Sequence, residues 1–438
     1  MDNDRKAVWG WALYDWANSA FATTVMAGFF PIFFKQYWSC GVDINLSTAR
    51  LGFGNSIASL LVALMAPVLG AIADKGSARK RFLLFFAYLG VLMTAALFMV
   101  HKGAWGWAVF IYCMGVIGFS GGNIFYDSLL PGVATEDTID YVSGLGYGMG
   151  YLGGGILFLI NVLMTLMPER FGLSDSAEAI RYSFVSVAIW WGLFSIFTIL
   201  WVPEDRVHGL SEGHGKNIRG GLRQFAGTIR KLSHMKPVSL FLLAYWFYID
   251  GVDTIIRMAV DYGMSLGFNH KDLIAALLIV QFVGFPSAIL FGKLGQRWGV
   301  RKSIYLAIGA YMGATLWGAV MTESYEFYML AIAIGLVQGG IQSLSRSYYS
   351  RFIPEGQAAE YYGFFNMMGK FAAIFGPALM GTVGLIVRGL MMPVSPSPLQ
   401  IDHVGKLASR WGIASIIILF LIGAILFHFV DEEKGMAG

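Results

Sequence analysis

Charged residues are scarce in this sequence and make up only 13% of its 438 residues. A soluble protein of ordinary composition carries about 25%, and a chain of this length would need that charge to cover its surface. The scarcity therefore excludes a soluble enzyme and a disordered chain. Cysteine is scarce too, since the chain has only Cys40 and Cys113, and this excludes a disulfide scaffold.

Long apolar stretches take the place of charge, with 56% hydrophobic residues and a mean hydropathy of +0.62. A helix that crosses a bilayer needs about 20 mostly apolar residues, whereas the strands of a membrane barrel would alternate with a period of two. Ten long runs contain no Asp, Glu, Lys or Arg: 16–34, 51–73, 82–100, 103–126, 141–168, 182–203, 273–292, 303–322, 327–345 and 411–430. Two further apolar stretches, 237–263 and 361–386, are interrupted by charge. Together they predict an all-α membrane protein with twelve spans, numbered 1 to 12 in chain order.

The first run is too long for the core of a signal peptide and carries Asp15 and Asn18, so we expect an uncleaved span. Lys and Arg concentrate on the cytoplasmic side of multi-pass proteins. With the amino terminus placed inside, the inside segments contain 20 Lys and Arg and the outside segments 9, while Arg257 and Lys370 lie within spans. We therefore expect both termini in the cytoplasm, and the compact loops favour a bacterial inner membrane.

The chain divides into two halves of six spans each. We predict an N-terminal bundle at 1–203, a basic cytoplasmic linker at 204–236 and a C-terminal bundle with a short tail at 237–438. Within the linker, Gly221–Leu232 has an amphipathic pattern that suits the membrane surface.

The two halves repeat weakly. Asp15–Asn18 in span 1 matches Asp250–Asp253 in span 7, and the turn Gly70–Lys80 matches Gly292–Lys302. Internal repeats of this kind are typical of secondary transporters.

The turn between spans 2 and 3 resembles the loop motif of the major facilitator superfamily, Gly-x-x-x-Asp-x-x-Gly-x-Arg/Lys. Gly70, Asp74, Arg79 and Lys80 fit this pattern, and Ser77 stands where its second Gly belongs. Three longer segments resemble the autophagy-related vacuolar amino-acid effluxer-like family, which includes many bacterial members: Tyr14–Phe21, Val142–Gly154 and Arg346–Pro354.

This resemblance implies a transporter with the major facilitator fold, in which two pseudo-symmetric six-helix bundles work by alternating access. In that fold, spans 1 and 7 lie opposite each other across a central cavity. The resemblance also implies that Gly70, Asp74 and Arg79 have a gating role that holds the outward-open state. Because the vacuolar members are associated with amino-acid export, amino-acid efflux is the leading expectation.

Span 7 carries four ionisable residues at steps of one helical turn: Asp250, Asp253, Arg257 and Asp261. This spacing puts all four on one face. A charge at the bilayer centre costs at least about 2.5 kcal/mol, so the face must meet a cavity or other helices. Either Asp253, Arg257 and Asp261 neutralise one another within the helix, or they take part in a substrate site.

Asp15 and Asn18 lie on one stripe of span 1, and Asp15 is the repeat mate of Asp250. Acids within spans commonly mark substrate pathways and proton relays. We therefore expect a substrate or proton-carrying role for Asp15 and Asp250.

Span 11 carries Lys370 one turn after Asn366. Lys370 either pairs with an acid of span 7 or, beside Arg257, binds a carboxylate of the solute. Cations and carboxylates in one cavity suit a zwitterion such as an amino acid, and they suit many other small polar solutes as well.

Further hydrogen-bonding candidates are Gln338 and Gln342 in span 10 and Asn123 and Tyr126 in span 4. Contact between helices is an equally good explanation for them. Asp127 lies near the end of span 4, where solvation would explain it.

Gly148–Gly153 satisfies the dinucleotide pattern G-x-G-x-x-G but lies within an apolar span, so it predicts close helix packing instead. The histidines lack the spacing of metal ligands, and there is no P-loop. We therefore predict neither a cofactor nor a metal site nor ATP-driven transport.

The sequence thus favours a secondary transporter that exports a small polar solute, amino acids first, with proton coupling. The alternatives are a transporter of another small solute (sugar, organic acid, peptide or drug) and a non-transporting membrane sensor, which should carry a larger soluble domain. No catalytic constellation is present, so we predict no enzyme. The expected partners are a small-molecule substrate, the lipid bilayer and protons, without nucleic acid, and we expect a monomer.

Overall fold

A computed structural model of the chain describes residues 2–41, 44–75, 78–203, 227, 235–393, 395 and 397–431. The described residues include twelve helices that are long and apolar enough to cross a membrane, which confirms the predicted number of spans. We name them in chain order: α1 Arg5–Trp38, α2 Arg50–Asp74, α3 Arg79–Met99, α4 Trp105–Ser128, α5 Ile139–Leu166, α6 Ser176–Trp201, α7 Lys236–Ser265, α8 Asp272–Trp298, α9 Val300–Val320, α10 Ser324–Ser350, α11 Ala358–Met391 and α12 Pro398–His428. Apart from Gly227, the amphipathic piece predicted at Gly221–Leu232 lies outside the described residues.

Several helices extend beyond the apolar runs that predict them. α1 begins at Arg5, well before the charge-free run, because backbone hydrogen bonding continues past the apolar residues. Its second half takes the wide π-helical form over Phe21–Phe29 and again over Phe34–Trp38, a form that is rare in proteins. α12 consists of two helical pieces that meet at Ile416.

The chain folds into two compact units. Unit 1 contains α1 to α6 together with Ile353–Met367, which include the start of α11. Unit 2 contains α7 to α10, α11 from Met368 onward, and α12. α11 therefore contributes residues to both units.

In unit 1, α1 packs against α5 and α6, and α4 packs against α2 and α3. Glycines on α5 let α1 approach closely. A Cβ on Gly153 would lie 2.5 Å from the carbonyl oxygen of Trp16, and one on Gly154 would lie 2.7 Å from Oγ1 of Thr23. The Gly148–Gly153 segment is therefore a helix-packing surface, as predicted.

In unit 2, the same pattern recurs six helices later. α10 packs against α8 and α9, as α4 does against α2 and α3, and α7 packs against α12, as α1 does against α6. This correspondence is the structural form of the weak sequence repeat.

Basic side chains link α3 and α6 by hydrogen bonds at both ends of the pair in unit 1. Nζ of Lys80, at the start of α3, donates to the carbonyl oxygen of Val202 beyond the end of α6 at 2.6 Å. At the other end, Arg181 of α6 donates to the carbonyl oxygen of Phe98 at 2.8 Å. Such contacts satisfy carbonyls that a helix end leaves without a partner.

The α9–α12 pair of unit 2 is closed in the same way. Arg301, at the start of α9, donates to the carbonyl oxygen of Val430 at 3.1 Å. Arg410 of α12 donates to the carbonyl oxygen of Met321 at 2.7 Å. Both units thus hold their third and sixth helices together by reciprocal basic contacts.

Candidate functional site

Four polar residues singled out in the sequence meet between α1 and α4 of unit 1: Asp15, Asn18, Asn123 and Tyr126, the α1–α4 cluster. Nδ2 of Asn18 donates to Oδ1 of Asn123 at 2.5 Å. Oη of Tyr126 donates to Oδ2 of Asp15 at 3.0 Å. Asn18 and Tyr126 are buried, whereas Asp15 and Asn123 are half-buried. The cluster therefore holds a carboxylate that a phenol orients and that keeps part of its surface open.

Neighbouring side chains fix this arrangement. The ring of Trp11 stacks on that of Tyr126 with 4.4 Å between centroids, and Nε1 of Trp11 donates to the Tyr126 carbonyl oxygen at 2.9 Å. Gly150 of α5 faces the same place, since a Cβ there would lie 2.6 Å from Oγ of Ser19 and 3.4 Å from Cγ of Asp15. A Cβ at position 150 would therefore press on the Ser19 hydroxyl and come into ordinary contact with the Asp15 carboxylate.

The three predicted gating residues, Gly70, Asp74 and Arg79, lie together in unit 1. Oδ1 of Asp74 accepts from the N–H of Ala359 at 3.0 Å, and Oδ2 accepts from the N–H of Glu360 at 2.8 Å. A guanidinium nitrogen of Arg79 lies 2.7 Å from Oδ1 of Asp74. A Cβ on Gly70 would overlap the carbonyl oxygen of Ala359. Asp74 thus caps the first turn of α11, where a carboxylate interacts favourably with the helix dipole.

A second contact holds the start of α11 in unit 1. Nδ2 of Asn366 donates to Oδ2 of Asp127 at 3.0 Å and to the carbonyl oxygen of Tyr362 at 3.0 Å. Asp127 is only 6% exposed. Its position near the end of α4 is therefore explained by this buried contact and not by solvation.

Three charged residues of unit 2 form the α7–α11 cluster: Asp253, Arg257 and Lys370. Asp253 interacts electrostatically with both cations. Asp253 and Lys370 are half-buried, and Arg257 is exposed. Among the residues that the structure describes, none of the three makes an ion pair within 4.0 Å. Asp253 is therefore attracted to two cations that repel each other, and in the described part of unit 2 it forms an ion pair with neither.

The sequence offers two structural explanations for these charges, and each requires a direct ion pair. A neutralising clamp along α7 would join Arg257 to Asp253 and Asp261, and an α7–α11 ion pair would join Lys370 to an acid of α7. Neither contact is formed within the described part of unit 2. Asp261, at the end of the row, is exposed.

Asp250 stands apart from this cluster although it shares a helical face with Asp253. Its side chain is only 2% exposed. Oδ1 accepts from the N–H of Gly376 at 2.9 Å and from Oγ1 of Thr254 at 3.3 Å. Sequence reasoning missed these two partners, although Gly376 stands directly before Pro377 in span 11.

Gln338 and Gln342 lie one turn apart on α10, the first buried and the second half-buried. Ser345 follows on the same face of the helix. Its Oγ lies 2.7 Å from Oη of Tyr248 on α7. The polar face of α10 is therefore directed towards α7 within unit 2.

The α7–α11 cluster can bind both ends of a zwitterion. A guanidinium and an ammonium form strong charge-assisted hydrogen bonds with a carboxylate, and a carboxylate forms them with an ammonium group. Because Asp253 makes no ion pair with either cation among the described residues of unit 2, a solute would not have to break one in order to bind.

The chain matches a family model described as "Vacuole effluxer Atg22 like" over residues 3–50, 37–140 and 135–387. It is 37% identical over 425 residues to "Uncharacterized MFS-type transporter YxiO" of Bacillus subtilis (strain 168), covering 97% of this chain and 94% of the relative. It is 22% identical over 550 residues to Autophagy-related protein 22 of Coccidioides immitis (strain RS), covering 98% and 87%.

Solved structures align along almost the whole chain. The human organic anion transporter MFSD10 (TETRAN) aligns with a TM-score of 0.68 at 14% identity, covering 97% of this chain and 99% of that one. The proton:xylose symporter XylE aligns with a TM-score of 0.64 at 14% identity, covering 99% and 96%. At such low identity these alignments establish a shared fold.

Proposed function

Because the chain belongs to the vacuole effluxer Atg22-like family of major facilitator transporters, we propose that it exports amino acids by alternating access. The resemblance and the fold predicted from the sequence are confirmed. The chain is a multi-pass membrane transporter of a small molecule, in a family of transporters and not of enzymes. The word effluxer in the family's description supports efflux from a compartment.

The α7–α11 cluster carries the proposal for the substrate. In it, Asp253 binds the ammonium group of an amino acid, and Arg257 and Lys370 bind its carboxylate. The observation that supports this assignment is that Asp253 interacts electrostatically with both cations and forms an ion pair with neither in the described part of unit 2. Gln338 and Gln342 supply further hydrogen bonds from α10, and Asn366 stands one turn before Lys370 on α11.

Asp15 is the residue that we propose for proton coupling. Its carboxylate accepts a hydrogen bond from Tyr126, and the residue remains half-buried, so part of its surface stays accessible for proton exchange. Asn18 and Asn123 order the same surface by bonding to each other. Gly70, Asp74 and Arg79 serve in this proposal as the gate that holds the start of α11.

The proposed transporter lies in a bacterial inner membrane as a monomer, with both termini and the 204–236 linker in the cytoplasm and bundles at 1–203 and 237–438. Single cysteines test the orientation, in a background without Cys40 and Cys113. Lys102→Cys should react with a membrane-impermeant maleimide in intact cells, and Glu355→Cys only after lysis. The reverse pattern would invert the proposed topology.

A thermal-shift screen on the purified, detergent-solubilised protein tests the substrate class. The panel contains neutral amino acids, dipeptides, sugars and organic acids. A ligand that binds the folded state stabilises it by mass action, by about 2.7 kcal/mol at 100 times its Kd. We expect neutral amino acids to raise the Tm, and Lys370→Ala and Asp253→Asn to abolish the rise.

Matched variants on the same two helices provide the controls. Arg388→Ala on α11 and Asp261→Asn on α7 remove exposed charges outside the cluster, so they should keep the ligand-induced shift. A shift produced only by sugars or organic acids would replace the amino-acid assignment. A shift that survives in Lys370→Ala and Asp253→Asn would move the binding site away from the α7–α11 cluster.

A further inference from the structure

Asp250 makes its contacts next to a proline inside α11. Pro377 lies inside this helix and has no N–H, and its ring also clashes with the carbonyl four residues earlier. In an apolar environment each backbone group left without a partner costs several kcal/mol. Gly376, the residue just before this proline, donates its N–H to the Asp250 carboxylate at 2.9 Å.

The approach of the two helices at this point depends on glycine. A Cβ on Gly376 would overlap Oγ1 of Thr254 and would lie 2.8 Å from Oδ1 of Asp250. Thr254 is fully buried and donates to the same carboxylate oxygen. Both donors therefore converge on Oδ1 of Asp250, in a space that no other residue at position 376 would fit.

The contact lies close to the charged cluster on both helices. Lys370 precedes Gly376 by six residues on α11, which is about 9 Å of helix. A change of about 20° in the direction of the helix at Gly376 would displace Lys370 by about 3 Å. On α7, Asp253 follows Asp250 by less than one turn. The position of Lys370 relative to α7 thus depends on how α11 is held at Gly376.

We propose that Asp250 is a positioning residue whose carboxylate holds the Gly376–Pro377 segment of α11 against α7 and thereby sets where Lys370 stands relative to Asp253 and Arg257. Its consequence for transport rests on the proposed role of the α7–α11 cluster. The positioning itself does not depend on which solute is carried. It assigns to Asp250 a role in hydrogen-bond acceptance, different from the substrate or proton role that the sequence suggests.

The labelling rate of a cysteine at position 370 tests this role without any substrate. In a full-length chain with Cys40→Ala, Cys113→Ala and Lys370→Cys, the rate of reaction with N-ethylmaleimide reports where this position stands. Asp250→Ala should change the rate by about fivefold, or about 1 kcal/mol, and Asp250→Asn by less than about twofold. The amide oxygen of asparagine still accepts the Gly376 N–H, so it should rescue the native rate.

Two controls separate a local effect from general loosening. In the same Asp250 variants, a cysteine at exposed Ser265, at the end of α7, should keep its labelling rate. Asp261→Ala, which removes an exposed acid of the same helix, should leave the rate at position 370 unchanged.

A second variant covers the case in which Asp250→Ala does not fold. Gly376→Ala keeps the carboxylate but forces a Cβ onto Thr254, so it should produce the same change at position 370. An unchanged rate in Gly376→Ala and Asp250→Ala would overturn the proposal. So would an equal change in Asp250→Asn and Asp250→Ala, because charge and not acceptance of the N–H would then be what matters. Neither result depends on the amino-acid assignment.

Discussion

Single charged side chains within the spanning helices determine the chemistry available to this transporter. Asp253 is attracted to both Arg257 and Lys370 but forms an ion pair with neither in the described part of unit 2. Charges held in this way have a cost to stability, because an ionisable group in a membrane span is unfavourable by at least about 2.5 kcal/mol. Binding of a charged solute offsets that cost only when the solute is present.

The Tm of Lys370→Met, measured with and without ligand, tests whether the charge that lowers stability is also the charge that binds the solute. Methionine keeps an unbranched apolar chain of similar length and removes the ammonium. We expect the ligand-free protein to gain about 1–3 kcal/mol, because a single ionisable group within a span costs at least about 2.5 kcal/mol, while the ligand-induced shift disappears. A lower Tm in the ligand-free protein would show that Lys370 is a structural residue.

Asp15→Asn tests the proton role that we propose for the α1–α4 cluster. Asparagine can still accept the hydrogen bond from Tyr126 but cannot carry a proton at neutral pH. In liposomes loaded with a pH-sensitive dye, we expect wild-type protein to move protons when neutral amino acids are added, and Asp15→Asn to lose at least about 90% of this movement. Asp402→Asn, which removes an exposed acid of α12, should behave as wild type. Full proton movement in Asp15→Asn would exclude Asp15 as the carrier.

Contacts between residues one turn apart could be predicted from the sequence, and contacts that depend on helix register could not. Helical spacing predicts that Asp15 and Asn18 share a face, and the structure places them beside Asn123 and Tyr126. Helical spacing does not predict that Asp250 contacts Gly376, because the rotation of α11 about its axis determines which of its backbone groups faces α7.

At the scale of helices, close packing in unit 1 depends on the glycine face of α5. The carbonyl oxygen of Trp16 lies against Gly153 and also accepts a hydrogen bond from Nε1 of Trp190 at 3.1 Å. A methyl group at position 153 would therefore push α5 away from α1 and disturb this bond.

Gly153→Ala is compared with Gly309→Ala, since position 309 on α9 has open space around a Cβ. We expect Gly153→Ala to lower the free energy of unfolding by about 1–3 kcal/mol through overpacking. Gly309→Ala should be neutral or stabilising, because alanine favours helix by about 1 kcal/mol over glycine. Thermal unfolding in detergent measures both variants. Equal stabilities would mean that the glycine face has no packing role.

The first turn of α11 depends on Asp74 in a similar way. Asp74 accepts from the N–H groups of Ala359 and Glu360, so Asp74→Ala leaves both donors without their acceptor. We expect amide hydrogen exchange of these two residues to rise at least about tenfold, or about 1.4 kcal/mol. Asp272→Ala, which removes an acceptor of the Tyr328 hydroxyl, should leave this exchange unchanged. Unaltered exchange in Asp74→Ala would contradict the capping role.

The spans themselves follow from composition, because apolar length is a property of the local sequence. The charged residues within 237–263 and 361–386 did not prevent the prediction of α7 and α11, because the apolar residues of these helices still cover the bilayer thickness. The division of α11 between the two units was not predictable, because it depends on which helices its two ends contact.

At the scale of the whole molecule, the internal repeat is visible as paired contacts. Lys80 and Arg181 close the α3–α6 pair of unit 1, and Arg301 and Arg410 close the α9–α12 pair of unit 2. The units differ at the end of their second helix, where Asp74 of α2 has Gln296 of α8 as its repeat mate. The two units therefore share their basic helix-end contacts, but only the first has the acidic residue of the proposed gate.

Flux of radiolabelled neutral amino acids through liposomes containing the purified protein measures the proposed activity itself. We expect flux above that of empty liposomes, stimulated by a pH gradient, reduced at least about tenfold in Lys370→Ala and Asp253→Asn, and retained in Arg388→Ala and Asp261→Asn. Absence of amino-acid flux in liposomes that do transport a sugar or an organic acid would contradict the proposed substrate. Equal flux in Lys370→Ala and Arg388→Ala would contradict the proposed site.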